Sequence, residues 1–393
     1  MEALKKQQQQ QHMECQVAVV GAGVMGLSAA LHLARMGKDT LLVDQFPRLH
    51  SNGSSGGRSR AIRQANQGHP ALTSIMSAAR NAWKNLEVEG GTQLYVPKSM
   101  VTLGNSEDSF SMEQMHRCAV AIEEATGEPP DWPSIDEANH MLGSRFPSHY
   151  VAQMDTTAGV LRADQCLKTL LKLFQSSGGR MVDNWDVKKI IPGKPVILYG
   201  EKGTIIADAV VLCPGVWAEK VLRPLQVNLP KLKLERICLE YWQTVEPDKA
   251  PPYVFIDLSN TSHPYYSLPP VEYPDLVKMV YHGGVVLNNV NEIEEVDLQS
   301  ERDRSREYVK RFFPGLNPQS VREEYCLYTT TPDKEFIVDY HPRHNNIVYG
   351  VGFSGMGFKV GPVVGQTLAE MVTGNPTSLD FSAFSLARFG SKI

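Results

Sequence analysis

Apolar positions and glycines divide the start of the chain into a strand, a turn, a helix and a second strand. Gln16-Val17-Ala18-Val19-Val20 is a short apolar run of the kind that forms a parallel strand covered on both faces. It runs into Gly21-Ala22-Gly23-Val24-Met25-Gly26. Leu27 to Ala34 then carries small and apolar residues at helical spacing, and Gly37 ends the helix. Thr40-Leu41-Leu42-Val43 predicts the second strand, closed by Asp44. Further along, Ala163–Ser177 has Leu167, Leu170, Leu171 and Leu173 on one helical side, and Gly178-Gly179 stop it. Val187–Ile191 and Val196–Tyr199 predict strands, and Ala207–Leu212 predicts a buried strand that ends in the turn Cys213-Pro214-Gly215. Near the C-terminus, Asn346–Val351 predicts a strand, followed by a glycine loop and a helix over Val363–Thr373.

Composition changes this picture little. A chain of 393 residues is expected to form two or three domains at roughly 100–200 residues each. Apolar residues make up 42%, enough for substantial cores. The net charge of −4 is spread without a basic block, so neither nucleic acid nor an anionic membrane is expected as partner. The acidic cluster Glu292, Glu294, Glu295 and Asp297, with the mixed run 301–306, predicts a solvated helix surface. Six cysteines are scattered without a CxxC pair, so no metal site is expected and a reducing compartment fits best. Lys5 and Lys6 ahead of the apolar stretch 17–34 imitate a signal peptide, but Gln7–Gln11 and His12 intervene. Residues 1–13 are expected to be a disordered polar tail. No other stretch has the ~18 uninterrupted apolar residues that a membrane span needs.

The glycine turn gives the first chemistry. Gly21 permits a tight turn, Gly23 admits a pyrophosphate to the backbone, and Gly26 lets helix and strand pack closely. The pyrophosphate would sit at the helix N-terminus, where free N–H groups and the dipole favour an anion. Asp44 is placed for a ribose diol, which favours FAD or NAD over NADP. Strand, glycines, helix, strand and acid fall in order within one βαβ unit, which makes the motif specific. The GxGxxG spacing recurs at Gly350–Gly355, but no second strand is read after the helix that follows it, so no second dinucleotide unit is expected, which favours a flavin oxidase over a nicotinamide-linked reductase.

Four further segments stand out. Gly53-Ser54-Ser55-Gly56-Gly57-Arg58-Ser59-Arg60-Ala61-Ile62-Arg63 would, alone, be a solvated basic loop. Lys278-Met279-Val280-Tyr281-His282, preceded by Tyr265-Tyr266, puts Lys278, Val280 and His282 on one face of a strand. Cys326-Leu327-Tyr328-Thr329-Thr330-Thr331-Pro332-Asp333 precedes Phe336–Asp339. Gly350-Val351-Gly352-Phe353-Ser354-Gly355-Met356-Gly357-Phe358-Lys359 leads into Gly361-Pro362.

In this order and spacing, the segments resemble those of D-amino-acid-oxidase-like flavoproteins, and within them the monomeric sarcosine oxidases and peroxisomal sarcosine/L-pipecolate oxidases. The resemblance covers residues 15–393. It implies the following roles. Arg60 lies near the flavin ring, and Arg63 and Lys359 bind the substrate carboxylate. Lys278 promotes the reaction with oxygen, His282 adjoins the amine, and Tyr266 and Tyr328 shape the substrate pocket. Cys326 is thioether-linked to FAD, and Gly355 and Gly357 belong to a loop and helix N-terminus that face the flavin. Such roles suit the residue types: a guanidinium forks onto a carboxylate, a fixed cation stabilises charge developing on oxygen, and a thiolate is a strong nucleophile. Relatives often carry histidine at the positions of Gly56 and Met356, so the resemblance does not carry over the flavin's redox tuning or the substrate range, while every residue assigned to carboxylate binding, oxygen activation and covalent attachment is retained.

The fold implied is α/β: a FAD-binding Rossmann-type domain with an interleaved mixed-sheet substrate domain. The first would take residues 14–95, 150–225 and 330–393, and the second 96–149 and 226–329. The activity implied is oxidation of a small secondary amino acid by O2, with hydrogen peroxide as product, in a monomer. The Ser391-Lys392-Ile393 ending differs from the Ser-Lys-Leu address by one branched methyl and predicts recognition by the peroxisomal import receptor. Two alternatives stand beside this. One is an oxidase or dehydrogenase for another amine, such as a glycated amino acid, dimethylglycine or proline. The other is a flavin-binding protein that has lost turnover.

Overall fold

The computed structural model describes residues 11–65, 70–246, 249–259 and 264–390. The tail up to residue 10 and the Ser391-Lys392-Ile393 ending lie outside the described residues.

The first of two large sheets runs Ile337–His341, His344–Val351, Gly203–Leu212, Gln11–Val20, Thr40–Val43, Arg180–Val182. Its central pairings are parallel. The strand ending in Cys213-Pro214-Gly215 returns beside the first strand, as expected. The hairpin of Val187–Ile191 and Val196–Gly200 is attached to it.

The first strand begins at Gln11, not Gln16. The return strand is ten residues long, and its outer half, Gly203–Ala207, offers backbone partners to Gln11–Cys15. Residues 11–13 therefore belong to the sheet and not to a disordered tail. Helices Val24–Arg35, Leu72–Gly90, Ala163–Ser176 and Gly357–Val372 bury their apolar sides in one core on this sheet.

The second sheet runs Val285–Leu287, Lys233–Gln243, Leu276–Tyr281, Tyr265–Leu268, Val254–Asp257, Met100–Asn105, Tyr150–Asp155, with Arg322–Thr330 on the other side of Lys233–Gln243. It is mixed: Val254–Asp257 is parallel to Met100–Asn105, and the other pairs are antiparallel. Tyr150–Asp155 was expected with the nucleotide-binding part, but its edge pairs with Met100–Asn105, so the chain leaves the second sheet only after Asp155. A small sheet of Ser59–Ile62, Gly159–Arg162 and Tyr95–Pro97 completes the strands.

Register in the second sheet decides which side chains meet. Lys278 is opposite Tyr241, and Cys326 is opposite Ile237. Because strand side chains alternate between faces, Glu324, Cys326 and Tyr328 share a face with Tyr241, Lys278 and Val280. Ile237, Leu239, Val280 and Cys326 form an apolar patch there, with Tyr266 and Tyr328 packed on it.

Candidate active site

A single elongated cleft begins at the C-terminal ends of the parallel strands and ends against this face of the second sheet. At the first end the glycine turn has the geometry its sequence requires. Gly21 has a φ of +99°, and a Cβ there would lie 2.2 Å from the Cys213 carbonyl oxygen. A Cβ on Gly26 would lie 1.7 Å from the Gly21 carbonyl oxygen, so only glycine lets the helix start this close to the strand. Gly23 caps the helix, and among the described residues Ser55 is the side chain that approaches it. The Ser55 hydroxyl accepts from Val24 N–H at 3.0 Å.

Asp44 does more than face the cleft. Its Oδ2 accepts from Ala22 N–H at 2.6 Å and its Oδ1 from Phe46 N–H at 2.9 Å, with His50 Nε2 at 3.2 Å. The carboxylate thus ties the turn to the second strand and retains lone pairs for a diol. His50, Trp185 and Trp217 also line this end. Residue spacing gave no sign of them, because they come from separate loops brought together by the sheet. The glycine-lined helix N-terminus, where Ser55 is the capping side chain, and the buried acid fit a dinucleotide.

The far end of the cleft gathers cations. Arg60 is clamped: its guanidinium donates to the carbonyls of Ser59 at 2.7 Å, Ser54 at 3.0 Å and Gly56, and lies 5.4 Å from the Phe358 ring centre. Arg63 is not saturated, and its buried Nη1 has no hydrogen-bond partner among the described residues. Lys359 donates from Nζ to the Gly355 carbonyl at 2.9 Å. Burial, then Arg63 and Arg60, depress the Lys359 ammonium to about 7. The helix that carries it begins at Gly357 and not at Val363, with Pro362 inside it. That earlier start puts Lys359 on the first turn, at the cleft.

His282 lies just past the end of Leu276–Tyr281. Burial, then Lys359 and Arg63, push its imidazole down to about 4, so it is neutral at neutral pH. The Tyr328 hydroxyl is 3.3 Å from His282 Nε2. The rings of Tyr328 and Tyr266 stand 5.2 and 5.8 Å from the imidazole. Burial holds both phenols well above their ordinary value. The result is a cation-rich wall beside neutral aromatic groups, suited to a small molecule that carries a carboxylate and an apolar or amine part.

Two expected residues are set behind this wall. Lys278, with a side chain only 3% exposed, is ion-paired to Glu272 at 3.0 Å and donates to Ser59 Oγ at 3.2 Å. Burial drives its ammonium downward and Glu272 opposes that. Cys326 is a buried free thiol in the patch under Tyr266 and Tyr328. Burial raises its thiol, while Arg60 and Lys278 pull the other way. Gly56 and Gly357 line the cleft with Gly355. A Cβ on Gly56 would meet the Ser51 backbone at 2.8 Å, so this loop conformation excludes a histidine there. Met356 instead packs against the first core. Glu272 was missed in the sequence, where a lone acid in a Pro-rich turn carries no signal.

A dinucleotide cleft closed by a cationic, aromatic pocket on a second sheet defines a class of flavoenzyme, and the chain belongs to the FAD dependent oxidoreductase family, whose model matches residues 16–371. FAD is its cofactor; Gly21, Gly23 and Asp44 line the first end of the cleft, and Gly26 packs behind them against the Gly21 carbonyl. The chain is 36% identical over 389 residues to a peroxisomal sarcosine oxidase of Mus musculus, covering 95% of this chain and 96% of that protein. It is 34% identical over 384 residues to the Homo sapiens peroxisomal sarcosine oxidase, at 95% and 96% coverage. It is 30% identical over 380 residues to a monomeric sarcosine oxidase of Bacillus sp. (strain NS-129), again at 95% and 96%. Among solved structures, NikD, an unusual amino acid oxidase, superposes with a TM-score of 0.84 at 20% identity over 95% of this chain and 97% of that one.

Proposed function

We propose that the enzyme oxidises a small secondary amino acid, such as sarcosine, L-pipecolate or a similar N-alkyl or cyclic amino acid, with O2, giving an imine and hydrogen peroxide. The observation that carries this is the convergence of Arg63 and Lys359, with an unpartnered Nη1 on Arg63, beside the neutral His282–Tyr328–Tyr266 wall. Arg63 and Lys359 hold the carboxylate through charge-assisted hydrogen bonds. The neutral imidazole of His282 receives the amine without repelling it, and the tyrosine rings pack its alkyl part. FAD supplies the two-electron acceptor for the C–N oxidation and passes the electrons to oxygen. Arg60, fixed by carbonyls, presents a positive charge to the flavin end of the cleft. Lys278 supplies a cation for the step in which charge develops on oxygen, and Cys326 is the covalent anchor. The printed names of the mouse, human and bacterial relatives support the same substrate class.

With sarcosine, hydrolysis of the imine gives glycine and formaldehyde. The test is peroxide release from purified protein with a panel of secondary, tertiary and primary amino acids. Turnover confined to primary or tertiary amines would overturn the substrate assignment.

The protein acts as a monomer in the peroxisome. The mouse and human relatives are peroxisomal by name, a bacterial relative is monomeric by name, and the chain ends in Ser391-Lys392-Ile393. A reporter carrying this tripeptide should enter peroxisomes, and one that stays diffuse would remove the targeting claim.

A further inference from the structure

Lys278 is joined to the protein surface by an unbroken line of polar side chains. Its Nζ donates to Glu272 Oε1 at 3.0 Å. The other oxygen, Glu272 Oε2, lies 2.7 Å from the Tyr241 hydroxyl, and that hydroxyl lies 3.0 Å from Glu324 Oε2. Glu324 Oε1 accepts from the Tyr273 hydroxyl at 2.7 Å and from Arg322 Nε at 3.1 Å. Glu324, Tyr273 and Arg322 line a second cavity beside the cofactor cleft. The inner groups are buried and the outer ones are not: Lys278 and Glu272 side chains are 3% and 5% exposed and Tyr241 is 1% exposed, whereas Glu324 is 20% and Arg322 47% exposed.

The centre of this line has a proton-counting property. A phenol hydroxyl has one proton to donate, yet Tyr241 stands between two carboxylate oxygens at hydrogen-bond distance. Its proton satisfies one of them. The other contact becomes a hydrogen bond when that carboxyl group itself carries a proton and donates to the phenol oxygen. The trio can therefore hold one extra proton: Glu324 passes its proton to the Tyr241 oxygen as Tyr241 passes its own to Glu272, which leaves the Tyr241 O–H pointing the other way. Tyr241 does not ionise on the way, because burial, then Glu272 and Glu324, hold its phenol far above the ordinary value.

We propose that Glu324, Tyr241 and Glu272 conduct protons from the second cavity to Lys278 while dioxygen is reduced. The proposal rests on the oxygen-facing role given to Lys278 above. Dioxygen needs two electrons and two protons to leave as hydrogen peroxide. The electrons are those taken from the amine and carried by the cofactor, and one proton comes with them. The other leaves the Lys278 ammonium, which recovers it from Glu272, and Glu272 is resupplied through Tyr241 from Glu324 and solvent. Lys278 ends each turnover as it began. The groups facing Lys278 are Ser59 and Arg60 from Ser59–Ile62, Tyr241 from Lys233–Gln243, Glu272 from its turn, and Glu324 and Cys326 from Arg322–Thr330.

The experiment has one arm that needs no turnover. In holoenzyme labelled with 15N-lysine, the Lys278 Nζ resonance is identified by its loss in Lys278→Met. Glu272→Gln should lower the pH at which Nζ loses its proton, because the acid that opposes its desolvation is gone. In the second arm the flavin is reduced chemically and its reoxidation is followed by stopped flow. Tyr241→Phe keeps the ring and removes the relay hydroxyl, and should slow reoxidation at least about tenfold, below the usual range for losing a proton-transfer group. Glu324→Gln, at the more exposed end where folding is least at risk, should slow it in the same direction. Wild-type reoxidation in both variants would overturn the wire, as would an Nζ titration that Glu272→Gln leaves unmoved. Chemical reduction keeps this outcome separate from failure of the amine assignment, which shows as a wild-type flavin that no amino acid reduces.

Discussion

A methyl group on Gly355 would stand 2.7 Å from Nε2 of His282. The glycine loop and the end of Leu276–Tyr281 thus meet at a point with no room for a side chain, and the imidazole position depends on that absence. Gly355 carries a backbone role as well, since its carbonyl holds Lys359 Nζ at 2.9 Å.

Gly355→Ala should therefore displace the His282 imidazole and disturb substrate binding more than folding. Overpacking costs about 1–3 kcal/mol, and if most of it falls on the site, kcat/KM should drop roughly tenfold or more, since about 1.4 kcal/mol is a factor of ten. FAD content, read from absorbance, should stay at the wild-type level. An alanine variant with unchanged kcat/KM would show that the imidazole position is not set by this contact.

The Lys359 ammonium, depressed to about 7 by burial, Arg63 and Arg60, makes carboxylate binding depend on pH. The sign follows from the charge: the lysine is cationic below about 7 and neutral above it, so affinity is full on the acid side and falls as pH rises. The loss should reach at most about tenfold per pH unit, the limit for one linked proton. His282, already neutral above about 4, should add no inflection near neutrality. The measurement is the dissociation constant of propionate, read from perturbation of the flavin spectrum across neutral pH. Lys359→Met should give a flat profile at the weak, alkaline level, and a flat profile in the wild type would contradict the assignment.

Cys326 is buried behind the pocket wall, and its thiol is raised by burial against the pull of Arg60 and Lys278. If it anchors the flavin, acid-precipitated protein stays yellow and Cys326→Ser releases its colour to the supernatant. Colour released equally from the wild type would leave Cys326 as a core cysteine.

The nucleotide half of the fold was legible because its signals are local. Glycines 21, 23 and 26, the strand before them and Asp44 after them act within one βαβ unit, and a parallel strand buried on both faces reads as an apolar run. The start of the first strand was not legible, because Gln11–Cys15 is polar in part and is ordered by pairing with Gly203–Ala207. The domain boundary at residue 150 falls ahead of Tyr150–Asp155 for the same reason: the strand's partner, Met100–Asn105, is remote in sequence. The run 301–306 was expected to be solvated, yet Glu301 and Ser305 are 7% and 2% exposed, turned inward on Gln299–Phe312.

The site divides in the same way. Arg60, Arg63, Lys278, His282, Cys326 and Lys359 sit in recognisable local patterns. Glu272 and Tyr241 become meaningful only when antiparallel register places Tyr241 opposite Lys278 and a turn folds Glu272 over both.

The central claim is that a secondary amino acid delivers electrons to the flavin and oxygen removes them. The most direct measurement is flavin absorbance after anaerobic mixing with sarcosine or L-pipecolate, followed by admission of air. The account predicts saturable bleaching by at least one secondary amino acid, then full recovery of colour with one hydrogen peroxide formed per flavin. A flavin that stays oxidised with every secondary amino acid tried, or that bleaches and does not recover in air, would contradict it.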